Sequence, residues 1–264
     1  MAGPVVISSA REKGRTIIPV DSEHQAIFHL INAHGREKLD TVLLTASGGP
    51  FRKKTTAELA DITPEEALRH PTWSMGPKIT IDSASLANKG LEVIEASLLF
   101  GLEAEKISVV IHPQSIVHSM IRLTNGAVYA QLSKPDMRQP IHDALYYPDC
   151  VPCPFGRLDF DALTLEFEKP DFDTFPMLSL AYDAVKSGSV YPAVYNAANE
   201  IAVDAFLKKR SRFVDIPFIV SYVLNKEIWN HFSMDIESIL EADREARLSA
   251  EHFIAEKRTE RGSK

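Results

Sequence analysis

Asp21, Ser22 and Glu23 put two carboxylates and a hydroxyl where a strand-like run ends and a helical pattern begins. Folds that alternate strands and helices bind ligands at such junctions, and paired hard oxygen donors suit Mg2+ or Mn2+. The same letters also describe a solvated Asp or Ser helix cap with a glutamate favoured by the helix dipole. A second cluster runs from Ser83 to Glu92. There Ser85 or Asn88 with Glu92, and Lys89 with Ser85, fall on neighbouring helical turns. Its hydroxyl, amide and ammonium groups suit a phosphate and its carboxylate a metal, so one helix could touch both. An exposed polar face with a weak surface ion pair fits the spacing as well.

Ser47-Gly48-Gly49 offers close-approaching backbone amides to an anion, or is a bare turn. It lacks the Walker and dinucleotide spacings, and no other stretch supplies them. His70, alone at a helix end, reads as a substrate contact or a helix-end donor. Trp73 and Met75, in a glycine-containing loop, read as a hydrophobic lid or as surface packing. His112 and His118 have no carboxylate at ligand spacing and read as structural. Tyr195 to Glu200 is a polar run inside a helix, open to buried packing or to domain contact. Cys150 and Cys153 form one CVPC unit, half of a zinc pattern without the other half, and read as structurally indifferent.

The elements that must position these residues alternate in the first half. TIIPV (16–20) reads as a buried strand, Ser22-Glu23 opens a helix with Ala26, Ile27, Leu30 and Ile31 on one face, and TVLLTA (41–46) is a second strand. A capping box at Thr63 with Pro64 starts a short helix to about His70, and residues 70–78 form a loop. KITID (78–82) leads into a helix running from Ser83 to Gly101. Three strand-like runs follow, the last two joined by Asn125-Gly126, the strongest short hairpin signal. Residues 148–173 read as a linker, and helices follow at about 176–187, 192–209, 215–229 and 235–258. The expectation is an α+β fold: an α/β-like catalytic domain with a mixed sheet over 1–147, the linker at 148–173, and a C-terminal four-helix bundle over 174–264.

The chain has 264 residues, 45% hydrophobic and 25% charged, enough for one large or two modest domains with their own cores. A net charge of −7 disfavours general attraction to nucleic acid or anionic membrane. No run approaches the roughly 20 apolar residues of a membrane span, and the start lacks a secretory core, so a cytoplasmic setting is expected.

Taken in order, PVDSEHQAIF (19–28), LLTASGGPFR (43–52), HPTWSMGPKITIDSASLANKGLEVIEA (70–96), IHPQSIVHSMI (111–121), PDMRQPI (135–141) and NAANEIAVDAF (196–206) resemble the 1-deoxy-D-xylulose 5-phosphate reductoisomerase family. The resemblance implies an NADPH-dependent enzyme that rearranges and reduces this phosphosugar to 2-C-methyl-D-erythritol 4-phosphate, in the non-mevalonate route to isoprenoids. It implies that Asp21, Glu23 and Glu92 hold Mn2+, Mg2+ or Co2+, and that Ser47, Ser83, Asn88 and Lys89 hold the phosphate. Ser22 and His70 would contact the sugar, the loop with Trp73 and Met75 would close over it, and Gly76 would lie beside the nicotinamide. A homodimer, in a bacterial cytosol or a plastid-type organelle, is implied too. The family's N-terminal Rossmann domain and its Asn-Lys-Glu motif do not occur in this sequence. The expectation is therefore a piece holding the catalytic and C-terminal domains, which binds metal but oxidises little NADPH by itself. The other reading is a stand-alone metal and phosphosugar binding module without reductase activity.

Overall fold

The computed structural model describes residues 2–262. Its contacts divide the chain into two compact units that interleave in sequence.

One unit comprises Gly14–Gly48 and Glu105–Pro170. It holds helix α2 (Ser22–His34), strand β1 (Leu39–Ala46), strands β2 (Ile107–Ile111), β3 (Val117–Leu123) and β4 (Val128–Leu132), and helix α7 (Arg138–Tyr146). The sheet order is β2-β1-β3-β4, with β1 parallel to β2 and antiparallel to β3, and β4 antiparallel to β3. A parallel neighbour demands a long crossover, and here the chain between β1 and β2 contributes a whole segment to the other unit. Asn125 and Gly126 turn the β3–β4 hairpin, with Gly126 at φ +86° and the Asn125 side chain accepting from the Ala127 amide. Helix α2 packs on β3 and β4. Ile27 from the helix, Val42 and Leu44 from β1 and Ile121 from β3 are fully buried, each such side chain contributing roughly 1.5–3 kcal/mol.

The other unit comprises Met1–Lys13, Gly49–Ala104 and Asp171–Lys264. Its helices are α1 (Gly3–Glu12), α3 (Thr56–Leu59), α4 (Pro64–Ala67), α5 (Pro77–Ser85), α6 (Ala87–Phe100), α8 (Met177–Ser187), α9 (Tyr191–Leu207), α10 (Asp215–Leu224) and α11 (Ile236–Gly262). Helix α9 carries apolar or small residues on every side and packs against α5, α8, α10 and α11. Tyr195, Phe206, Ile216, Ile219 and Trp229 are fully buried, and the Trp229 indole donates to the Val223 carbonyl at 2.6 Å.

The α+β class with a mixed sheet and an antiparallel edge is what the strand patterns predict. Several local expectations need correction. TIIPV is not a strand: residues 15–20 have no regular structure, and Pro19 lacks the donor a ladder requires. KITID is helical, because Pro77 at the first helical position starts α5 there. The single helix expected from Ser83 to Gly101 is two, broken at Leu86, whose φ is +62°. Helix α4 stops at Ala67 rather than near His70, since a residue preceding a proline, here His70 before Pro71, resists the helical conformation. Helix α10 ends at Leu224, and Glu227–His231 forms a 3-10 turn. Helices α1, α3 and α7 have no counterpart in the sequence reading.

Candidate active site

In the sheet unit, Asp21 and Glu23 take their places from the start of α2. The Asp21 carboxylate accepts from the backbone N–H of Glu23 at 3.1 Å and of His24 at 3.5 Å, capping the helix. Ser22 Oγ donates to Glu23 Oε2 at 2.5 Å. Both carboxylates are half-buried at the positive end of the helix dipole. The cap does not use up the acids, so the two readings of Asp-Ser-Glu are compatible. Sequence reasoning gave no role to His24, yet its ring is buried with Nδ1 3.3 Å from Asp21 Oδ1. The signal available was its spacing three residues after Asp21. Ser47 follows β1 and is half-buried.

In the helical unit, His70, Trp73, Met75, Gly76, Ser83, Asn88, Lys89 and Glu92 lie along the loop and the two helices it feeds. Lys89 is not a surface residue: it is buried and ion-paired with Glu92, also buried, three residues on. Asn88 donates to the other oxygen of Glu92 at 2.7 Å. A buried carboxylate needs a counter-charge and hydrogen bonds to remain ionised, and this one has both. Ser83 sits in the last turn of α5, and its carbonyl accepts from the Leu86 amide at 3.3 Å as the chain turns into α6. Gly49, at φ +68°, passes so close that a methyl group there would lie 2.6 Å from the Ser83 carbonyl oxygen, so no other residue fits.

His70 joins the loop to α5. Its Nδ1 accepts from the backbone N–H groups of Thr72 at 3.1 Å and Trp73 at 2.9 Å. That nitrogen therefore carries no proton, and Nε2–H faces Ser83 Oγ at 3.1 Å as the donor. Burial pushes the imidazole pKa down, favouring this neutral form. Trp73 and Met75 are half-buried, whereas Gly76 is exposed with open space where a side chain would stand.

The model of the 1-deoxy-D-xylulose 5-phosphate reductoisomerase C-terminal domain matches residues 17–100, and that of the DXP reductoisomerase C-terminal domain matches residues 132–249. The reductoisomerase of Chlorobaculum tepidum is 51% identical over 256 residues, 96% of this chain and 66% of that protein. The chain belongs to the 1-deoxy-D-xylulose 5-phosphate reductoisomerase family. The reductoisomerase of Clostridium botulinum strain Hall is 50% identical over 94% of this chain and 64% of its own length, so the chain spans about two thirds of the relatives it matches. Among solved reductoisomerases, that of Zymomonas mobilis in complex with NADPH superposes with a TM-score of 0.87 at 45% identity, covering 96% of this chain and 65% of that one. A DOX-P reductoisomerase in complex with NADPH, fosmidomycin and magnesium reaches 0.91 at 40% identity, covering 97% of this chain and 67% of that one.

Proposed function

We propose that this chain supplies the metal and substrate site for the NADPH-dependent rearrangement and reduction of 1-deoxy-D-xylulose 5-phosphate to 2-C-methyl-D-erythritol 4-phosphate. The observation that carries the reading is the buried Lys89–Glu92 pair at the start of α6, a charged couple kept where an apolar one would pack at less cost.

Asp21, Glu23 and Glu92 are the proposed ligands of Mg2+, Mn2+ or Co2+. The donor set fits, since three carboxylates provide hard oxygens. A bound divalent ion supplies Lewis-acid polarisation of the substrate carbonyl. Ser47, Ser83, Asn88 and Lys89 are the proposed phosphate ligands. Lys89 and Asn88 both hold Glu92, so two of the proposed phosphate ligands stand directly beside a proposed metal ligand. Holding the phosphate, which does not react, orients the reacting carbons. Ser22 and neutral His70 contact the sugar hydroxyls, while Trp73 and Met75 cover them and exclude water. Gly76, with no side chain, leaves room for the nicotinamide.

NADPH as hydride donor is supported by the complexes of the solved relatives. A homodimer is supported by the sheet edge, where β4 exposes Val128 and Tyr129. Among the described residues no helix is long and apolar enough to cross a membrane, and a cytoplasmic setting completes the proposal.

Calorimetric titration of the chain with 1-deoxy-D-xylulose 5-phosphate, with and without Mn2+, tests this reading. Binding that requires the ion is expected. Binding that ignores it overturns the ligand assignment, and no binding in either case overturns the substrate.

A further inference from the structure

Helix α9 reaches both sides of the break at Leu86 with two residues one turn apart. Asn199, fully buried, donates from Nδ2 to Asp82 Oδ1 at 2.8 Å. Asp82 is the residue before Ser83, is itself buried, and pairs through its other oxygen with Lys78 Nζ at 2.7 Å. Tyr195, also fully buried, donates to the Met177 carbonyl at 3.1 Å, and its hydroxyl lies 3.5 Å from the Ala87 carbonyl, the residue before Asn88. A methyl group at Gly90, the residue after Lys89, would lie 2.6 Å from the same hydroxyl. So one rigid helix grips α5 immediately before Ser83 and α6 immediately around Asn88 and Lys89.

The chain between these grips turns through a left-handed Leu86, a conformation that surrounding structure must hold for a branched residue. Buried polar anchors impose a definite geometry at a stability cost that apolar packing would avoid. The hydrogen bonds do not link Tyr195 or Asn199 to any proposed substrate-binding side chain. Their partners are the residues that set where those side chains stand.

We propose that Tyr195 and Asn199 are positioning residues that fix the spacing of Ser83 from Asn88 and Lys89 and thereby tune the site for a phosphate monoester. This rests on the reading of those three residues as phosphate ligands. A clamp of this kind governs how well preplaced donors match the anion, and a small displacement weakens binding without abolishing the fold.

The test compares the dissociation constants of 1-deoxy-D-xylulose 5-phosphate and of unphosphorylated 1-deoxy-D-xylulose at saturating Mn2+, for the wild-type chain, Tyr195→Phe, Asp82→Asn, and the exchanged pair Asp82→Asn with Asn199→Asp. The wild type is expected to prefer the phosphorylated sugar strongly. Each single variant should lower that preference about tenfold, with the affinity for the unphosphorylated sugar retained, and the exchanged pair should recover part of it. Tyr195→Phe keeps the ring, so a folded variant is available even if the buried carboxylate changes are not tolerated. A preference unchanged in folded single variants, or an equal loss of both affinities, overturns the clamp while leaving the phosphate reading intact. A wild-type chain with no preference for the phosphorylated sugar overturns the phosphate reading and the clamp with it.

Discussion

His70 Nε2 lies 3.1 Å from Ser83 Oγ, and the other ring nitrogen already accepts from two backbone N–H groups. Protonation at Nδ1 would set a third donor against those two. Burial lowers the folded-state pKa below the ordinary histidine value, so the unfolded chain binds the proton more readily. The neutral ring's contribution is therefore complete above the unfolded value near 6.5 and is lost as pH falls from there through the folded value. Acrylamide quenching of Trp73 fluorescence should rise over that acid range. In His70→Ala the high quenching should already be present at pH 8; quenching independent of both pH and the substitution would contradict this role.

Gly90 faces Tyr195 Oη and the Ala181 Cβ, which a methyl group at position 90 would meet at 2.6 and 2.8 Å. Alanine normally favours a helix over glycine by about 1 kcal/mol. At this position Gly90→Ala should nevertheless destabilise the chain by about 1–3 kcal/mol, as overpacked cores do. Tyr195→Phe should cost less, about 0.5–1.5 kcal/mol for its hydrogen bond. Urea unfolding curves give both values, and a stabilised Gly90→Ala would refute the close packing.

Lys89→Met would leave Glu92 buried without its counter-charge. A loss of about 3–5 kcal/mol is expected from removing one member of such a pair. Adding Glu92→Gln should return much of it, and millimolar Mn2+ should partly rescue the single variant if Glu92 ligates the ion. Melting temperatures of the two variants with and without Mn2+ decide the point.

Asp21 has two separable roles. Asparagine caps a helix as well as aspartate does, so Asp21→Asn should melt like the wild type while its Mn2+ affinity, followed by electron paramagnetic resonance, falls at least about tenfold. Asp21→Ala should lose the same affinity and also about 1 kcal/mol of stability. Equal Mn2+ binding by wild type and Asp21→Asn would remove this residue from the ligand set.

Local chemistry was legible without coordinates wherever the cause is local. The Thr63 capping box, Gly101 closing α6 in the left-handed conformation, the Asn125-Gly126 hairpin and the amphipathic α2 all depend on neighbours within one or two turns. The order of motifs from Asp21 to Glu200 was enough to point to the family. Tertiary packing decided what local pattern misjudged: the single helix expected from Ser83 to Gly101 is broken at a left-handed Leu86.

The sequence by itself determined the kinds of groups available, with acids at a helix start and a serine, asparagine, lysine and glutamate within ten residues. Side-chain chemistry and helical spacing are properties of the local chain. Only the tertiary structure decided which charges are buried and which distant residues meet. Lys89 and Glu92 are neighbours in any helix, but their burial as an ion pair depends on what packs around α6. Asn199 reaches Asp82 across 117 residues. No periodicity encodes that separation, because it follows from the packing of α9 on α5, which burial of their apolar faces selects.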